Sequence, residues 1–97
     1  MRTLANYMIE IPRPTGGWMD LQATTDRIRR AAVDLRREGR RVRFLRAVFV
    51  PEDDTCFFVI EGPSRPAVRE VVARAALTAG RIEQAFTAPA GQREDAR

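Results

Sequence analysis

Few side chains in this sequence could do chemistry, and the two best placed are Tyr7 and Glu10, both in the stretch LANYMIEI at positions 4–11. Three positions apart on an extended chain, they point to opposite faces. A carboxylate in a central strand is costly to bury unpaired, so Glu10 must pair, reach water or meet a ligand. Raised in pKa it would be a general base; paired with a cation such as Arg43 it would be structural, which is the favoured reading. Arg46 stands in the set Val42, Phe44, Val48 and Val50, as an anion anchor or as a charge guarding an edge strand. Trp18 follows TGG and could close over a cavity or plug the side of a helix. Phe58 completes the candidate pocket set of Tyr7, Glu10, Trp18, Arg46 and Phe58; as an enzyme the chain would rely on Tyr7, Glu10 and Arg46.

Other polar groups carry weaker signals. Cys56 is the one cysteine and the chain has no histidine, so an inert buried thiol is expected, with no disulfide and no usual structural zinc site. Glu52, Asp53 and Asp54 could approach a hard cation, but three acids in a tight turn are read as a turn. Glu61 is an outlying acid–base candidate, read as solvated. Phosphate loops, nucleophile elbows and metal-ligand spacings are absent from the sequence, and no cofactor is implied.

The elements that must position these groups follow from pattern. LANYMIEI alternates and meets Pro12 and Pro14, which deny a ladder its N–H, so 4–11 is expected as a strand. From Leu21 to Leu35 the residues at 21, 24, 25, 28, 31, 32 and 35 share one helical face. Asp20 suits the first turn and Gly39 the C-terminal end. RVRFLRAVFV (41–50), the turn PEDDT (51–55) and CFFVIE (56–61) read as a hairpin. Ser64 can cap and Pro66 suits a first turn, before a stripe of Val68, Val71, Val72, Ala75, Ala76 and Ala79 that Gly80 is expected to end. RIEQAF (81–86) reads as a last strand. The order βαββαβ predicts an α+β ferredoxin-like fold, with two helices on one face of a four-stranded antiparallel sheet. One domain over 1–87 and a flexible tail over 88–97 are expected.

Residues 27–50 hold nine arginines, and all 17 basic residues of the chain are arginine. The absence of lysine suits a GC-rich genome and weakens a functional reading of each one. With 97 residues and a net charge of +4, this is one small domain with a moderate positive excess. Asp26, Asp34 and Glu38 lie among the helical arginines, and pairs four apart (Asp26 with Arg30, Arg30 with Asp34) predict a solvated, charge-laced face. Nucleic acid is not an expected partner: the basic residues form no single-sign patch with stacking aromatics, and only Arg36, Arg37, Arg40 and Arg41 come close. The N-terminus has no uninterrupted apolar core and no apolar run nears 18 residues, so no membrane association and a cytoplasmic location are expected.

CFFVIE is apolar on both alternating sets, Cys56, Phe58 and Ile60 on one and Phe57 and Val59 on the other. Helices cover only one face, so the second is expected to be covered by another copy, giving a homodimer packed sheet to sheet as a dimeric α/β barrel. The strand YMIEIPRP, the hairpin VRFLRAVFVPEDDTCFFVIEGPS and the ending VREVVARAALTAGRIEQAF together resemble a family of small actinobacterial ferredoxin-like proteins of unknown function that includes a nickel-binding member. The resemblance implies a dimer and a small-molecule or metal site. Metal binding there depends on histidine, so that property is not carried over. The expected function is a non-catalytic dimeric binding or accessory protein with a small cavity between sheet and helices. The alternative is a cofactor-free cyclase, isomerase or monooxygenase acting on polyketide-like aromatic substrates, which is analogy at the level of fold.

Overall fold

The computed structural model describes residues 3–12 and 17–86, with the side chains of 17–19 excepted. The expected 88–97 tail lies outside this range. Strand β1 (Ala5–Pro12) is followed by helix α1 (Gly17–Arg37), strand β2 (Arg43–Val50), a 3-10 turn (Pro51–Asp53), strand β3 (Thr55–Gly62), helix α2 (Arg65–Arg74) and strand β4 (Ile82–Ala85). The sheet is antiparallel in the order β2-β3-β1-β4, so β1 and β3 are central and β2 is an edge. This is the ferredoxin-like α+β arrangement.

Alternation sorts the central strands onto two faces. Tyr7, Ile9 and Ile11 of β1 and Cys56, Phe58 and Ile60 of β3 are buried on the helix side, with Ile28 and Leu35 of α1 and Val68 and Val71 of α2. Each full burial of such a side chain is worth about 1.5–3 kcal/mol, and this layer holds the two helices to the sheet. Gly62 lets α2 come close: a Cβ there would meet Val68 Cγ2 at 3.0 Å.

The helix ends are built by specific bonds. Gly39 has φ +95°, and Arg40 N–H donates to Leu35 O at 2.9 Å while Gly39 N–H donates to Arg36 O at 3.0 Å. That pair of bonds is the Schellman cap expected of glycine at this place. Ser64 accepts from Ala67 N–H at 3.3 Å at the start of α2, with Pro66 in the first turn. Helix α1 starts earlier than the expected Leu21, so Asp20 lies within its first turn.

Gly80 does not end α2, contrary to expectation. The helix stops at Arg74, and Ala76 takes the left-handed conformation with φ 61°. Ala76 N–H donates to Ala73 O at 2.9 Å and Leu77 N–H to Val72 O at 3.1 Å, a second Schellman pattern with alanine where glycine is usual. The last carbonyls are held from the other helix: Arg27 Nε and Nη2 donate to Ala75 O at 3.1 and 2.8 Å, and Nη2 also to Ala76 O at 2.9 Å. Guanidinium charge suits a helix C-terminus. A left-handed alanine is strained where glycine is not, so Ala76→Gly is expected to stabilise the fold by about 0.5–1 kcal/mol net of its unfolded-state entropy. Urea denaturation checks this, and an unchanged or lower midpoint would contradict it.

One strand departs from simple alternation. In β2, Phe44 pairs with Ile60 and Arg46 with Val59, so Leu45 is an extra residue in a bulge. Phe44 therefore faces the helices while Arg46, Val48 and Val50 face the other way. The expected single set of Val42, Phe44, Arg46, Val48 and Val50 is split by this insertion.

Candidate functional site

Four strands leave one broad surface without a helix over it, and the strand registers define its side chains. Its central row runs Arg46 on β2, Val59 on β3, Met8 on β1 and Glu83 on β4. The next row holds Val48, Phe57 and Glu10, and the row on the other side holds Arg43, Glu61, Asn6 and Ala85. Met8 is 38% and Val48 45% exposed, while Phe57 and Val59 are half-buried. The face is thus apolar at its centre, with cations along β2 and carboxylates on β1, β3 and β4.

Glu10 finds its cation on the segment entering β4: Arg81 Nε lies 3.5 Å from Glu10 Oε1. Arg43, the expected partner, is on β2, which β3 separates from β1. The backbone locks the actual pair together, with Glu10 N–H donating to Arg81 O at 2.8 Å and Gly80 N–H to Glu10 O at 2.7 Å.

The five pocket candidates do not converge. Tyr7 and Phe58 lie in the helix-side core, 8% and 0% exposed, whereas Glu10 and Arg46 are on the opposite face of the sheet. Residue 18 is in the first turn of α1, and the Trp18 side chain lies outside the described set. Tyr7 therefore cannot meet a substrate held by Glu10 and Arg46 without passing through the sheet. Cys56 is fully buried and its thiol is pushed up in pKa, first by burial and then by the charge of Asp54. It is a protonated core side chain at neutral pH.

Glu52, Asp53 and Asp54 sit exposed in the hairpin turn, where Asp54 takes φ 52° and its N–H donates to Pro51 O at 3.1 Å. Among the described residues no three carboxylate or thiol groups gather as a metal site. With no histidine in the chain, the residues present do not fit the nickel site that the resemblance suggests. No helix among the described residues is long and apolar enough to cross a membrane.

On α1 the charges pair at three-residue spacing instead of the expected four. Arg29 reaches Asp26 at 3.1 Å and Arg37 reaches Asp34 at 4.0 Å. Arg29 also lies over the Phe44 ring, 5.1 Å from its centroid. Two pairs tie the turn after α1 to α2: Arg40 with Glu70 at 3.0 Å and Arg74 with Glu38 at 3.0 Å. Arg74 holds the Glu38 carboxyl below its ordinary value, chiefly through their hydrogen bond. The function of Arg27 as a cap on α2 was hidden from local reading. Its one sequence signal is its place between Thr24 and Ala31, one turn away on either side, at the border of the apolar stripe.

The fold defines a class, the ferredoxin-like α+β domains, and comparison with known proteins supports that class alone. No family model matches the chain and no curated protein does. Among solved structures it is similar to SCO4226 of the actinobacterium Streptomyces coelicolor A3(2). The TM-score is 0.68 and the identity 24%, over 88% of this chain and 100% of that one. At that identity the likeness speaks to fold, and function must rest on the side chains described above.

Proposed function

We propose that the chain is a small homodimeric ferredoxin-like binding or accessory protein of the cytoplasm, in which a second copy covers the open face of the sheet. The observation that supports this most directly is the row Arg46–Val59–Met8–Glu83. Its centre is apolar and its two ends carry opposite charges. A two-fold axis parallel to the strands lays β2 of one copy over β4 of the other. Each Arg46 then stands over a Glu83 of the second copy, and the match is made twice by symmetry. An axis across the strands would set Arg46 over Arg46 and is disfavoured.

Four strands spaced about 4.8 Å apart and rising about 3.4 Å per residue present roughly 500 Å² in projection. Side-chain relief brings this toward the ~800 Å² per partner of a standard interface. The helix side of the sheet is occupied by fully buried side chains such as Ile9, Phe58 and Ile60. A small molecule carried by this dimer would therefore lie between the two sheets, where Glu10 and Arg46 are the polar groups that could orient it.

Native mass spectrometry of the untagged protein at micromolar concentration, with and without chelator, tests the reading. A dimer is the expected result, and a retained small-molecule adduct would assign the ligand class. A monomer persisting at 100-fold higher concentration would overturn it.

A further inference from the structure

A second feature lies at the end of the molecule where α1 passes into β2, and it shares only Arg43 and Glu61 with the open face of the sheet. Arg36, Arg40, Arg41 and Arg43 converge with Leu4 and Glu61 on an open groove of about 390 Å³. The Schellman turn at Gly39 creates the convergence, because it reverses the chain so that the last turn of α1 and the first residues of β2 flank the same hollow.

On the charge-laced face of α1, Asp26 and Asp34 lie among Arg29, Arg30 and Arg37, whereas carboxylates are scarcer around the groove. Arg29, Arg37, Arg74 and Arg81 each have a carboxylate partner, and in the groove Arg40 has Glu70. Arg36, Arg41 and Arg43 make no ion pair among the described residues, and Glu61 is the one carboxylate that lines the groove. A concave surface with an uncompensated excess of one sign focuses its field and concentrates counter-ions. Arg36 also lies in the last turn of α1, where a cation is favoured and offsets the negative end of the helix dipole that would otherwise repel an anion.

Guanidinium groups present planar forks of donors that match phosphate oxygens two at a time. Leu4 adds an apolar wall on one side. We propose that this groove is a binding site for a small phosphate monoester, held by Arg36, Arg41 and Arg43, with Arg40 fixed in place by Glu70. Arg36 and Arg41 lie outside the open-face rows, so their loss leaves dimer formation intact and separates this site from the dimer reading.

The test is a titration of the isotope-labelled full chain with phenyl phosphate and, separately, with inorganic phosphate, followed by amide and arginine side-chain NMR. Saturating shifts confined to Leu4, Glu61 and residues 36–43, and an affinity at least roughly tenfold weaker in the double variant Arg36→Gln/Arg41→Gln at unchanged oligomeric state, are expected. Tighter binding of phenyl phosphate than of inorganic phosphate would assign an ester over the free ion, and the reverse order would reassign the site to phosphate itself. Shifts that fail to saturate, or that appear equally at Arg65 and Arg69, would reduce the groove to a general counter-ion surface. Tighter, steeply salt-dependent binding of a single-stranded oligonucleotide would overturn the small-ligand assignment in favour of nucleic acid.

Discussion

Replacing Phe58 with alanine is expected to remove a large share of the stability of the fold. The ring is fully buried on the helix side of the central strand β3, and its register neighbours are Ile9 on β1 and Ala47 on β2. Deleting it costs the transfer energy of an aromatic ring and leaves a cavity that two clamped helices cannot collapse into. The combined loss is about 3–5 kcal/mol. A domain of this size has about 5–15 kcal/mol in total, and the melting temperature should fall by about 4–8 °C for each kcal/mol lost. Urea denaturation at fixed protein concentration would measure the loss, since any self-association would make apparent stability depend on concentration. A cost below about 1 kcal/mol would mean that the ring borders open space, and a pocket on the helix side would return to consideration.

Met8→Glu addresses the other face and should give the opposite pattern. Met8 is 38% exposed in the isolated chain, so a carboxylate there reaches water, and even opposite Glu83 in the ladder it should cost about 1 kcal/mol of folding stability or less. Between two sheets the same carboxylate is buried between Glu83 and its own symmetry mate, and the nearest cation, Arg46 of the second copy, is already matched to Glu83. A penalty of this kind amounts to several kcal/mol, so the dissociation constant of the dimer should rise at least about 100-fold. Sedimentation equilibrium reads this directly. An unchanged dimer would place the interface elsewhere, and a monomeric wild type would remove the premise. Together the two variants separate what holds the chain folded from what would hold two chains together.

The order of elements was legible because each boundary carried a local cause. Pro12 ends β1, Gly39 supplies the left-handed turn after α1, and Ser64 with Pro66 opens α2. The alternation of β1 was equally legible, since Tyr7, Ile9 and Ile11 alternate without interruption against Met8 and Glu10, but which set meets the helices was not. What escaped was decided across the fold. Alanine at position 76 carries no mark of a helix end, and its left-handed turn is accompanied by Arg27, which arrives from 49 residues away. The true partner of Glu10 is Arg81, brought alongside by the ladder between β1 and the segment leading into β4; Arg43 looked closer only because the order of strands in space differs from their order in sequence. The candidate site was the least legible part. Residue types named Tyr7, Glu10, Arg46 and Phe58, but only the two sides of the sheet decide which of them can share a ligand.

The bulge at Leu45 has a bearing on solubility. Phe44 and Arg46 hold adjacent register positions on β3, so a chain lacking Leu45 would keep every residue of β2 on its present face. What it would lose is the irregularity in an edge strand whose outer backbone groups are otherwise free to pair with any extended chain. The additional residue contributes nothing to which side chains meet inside the molecule; it makes the β2 rim of the sheet a poor template for fibrillar growth, so that the closed pairing proposed above would meet less competition from open-ended growth along that edge.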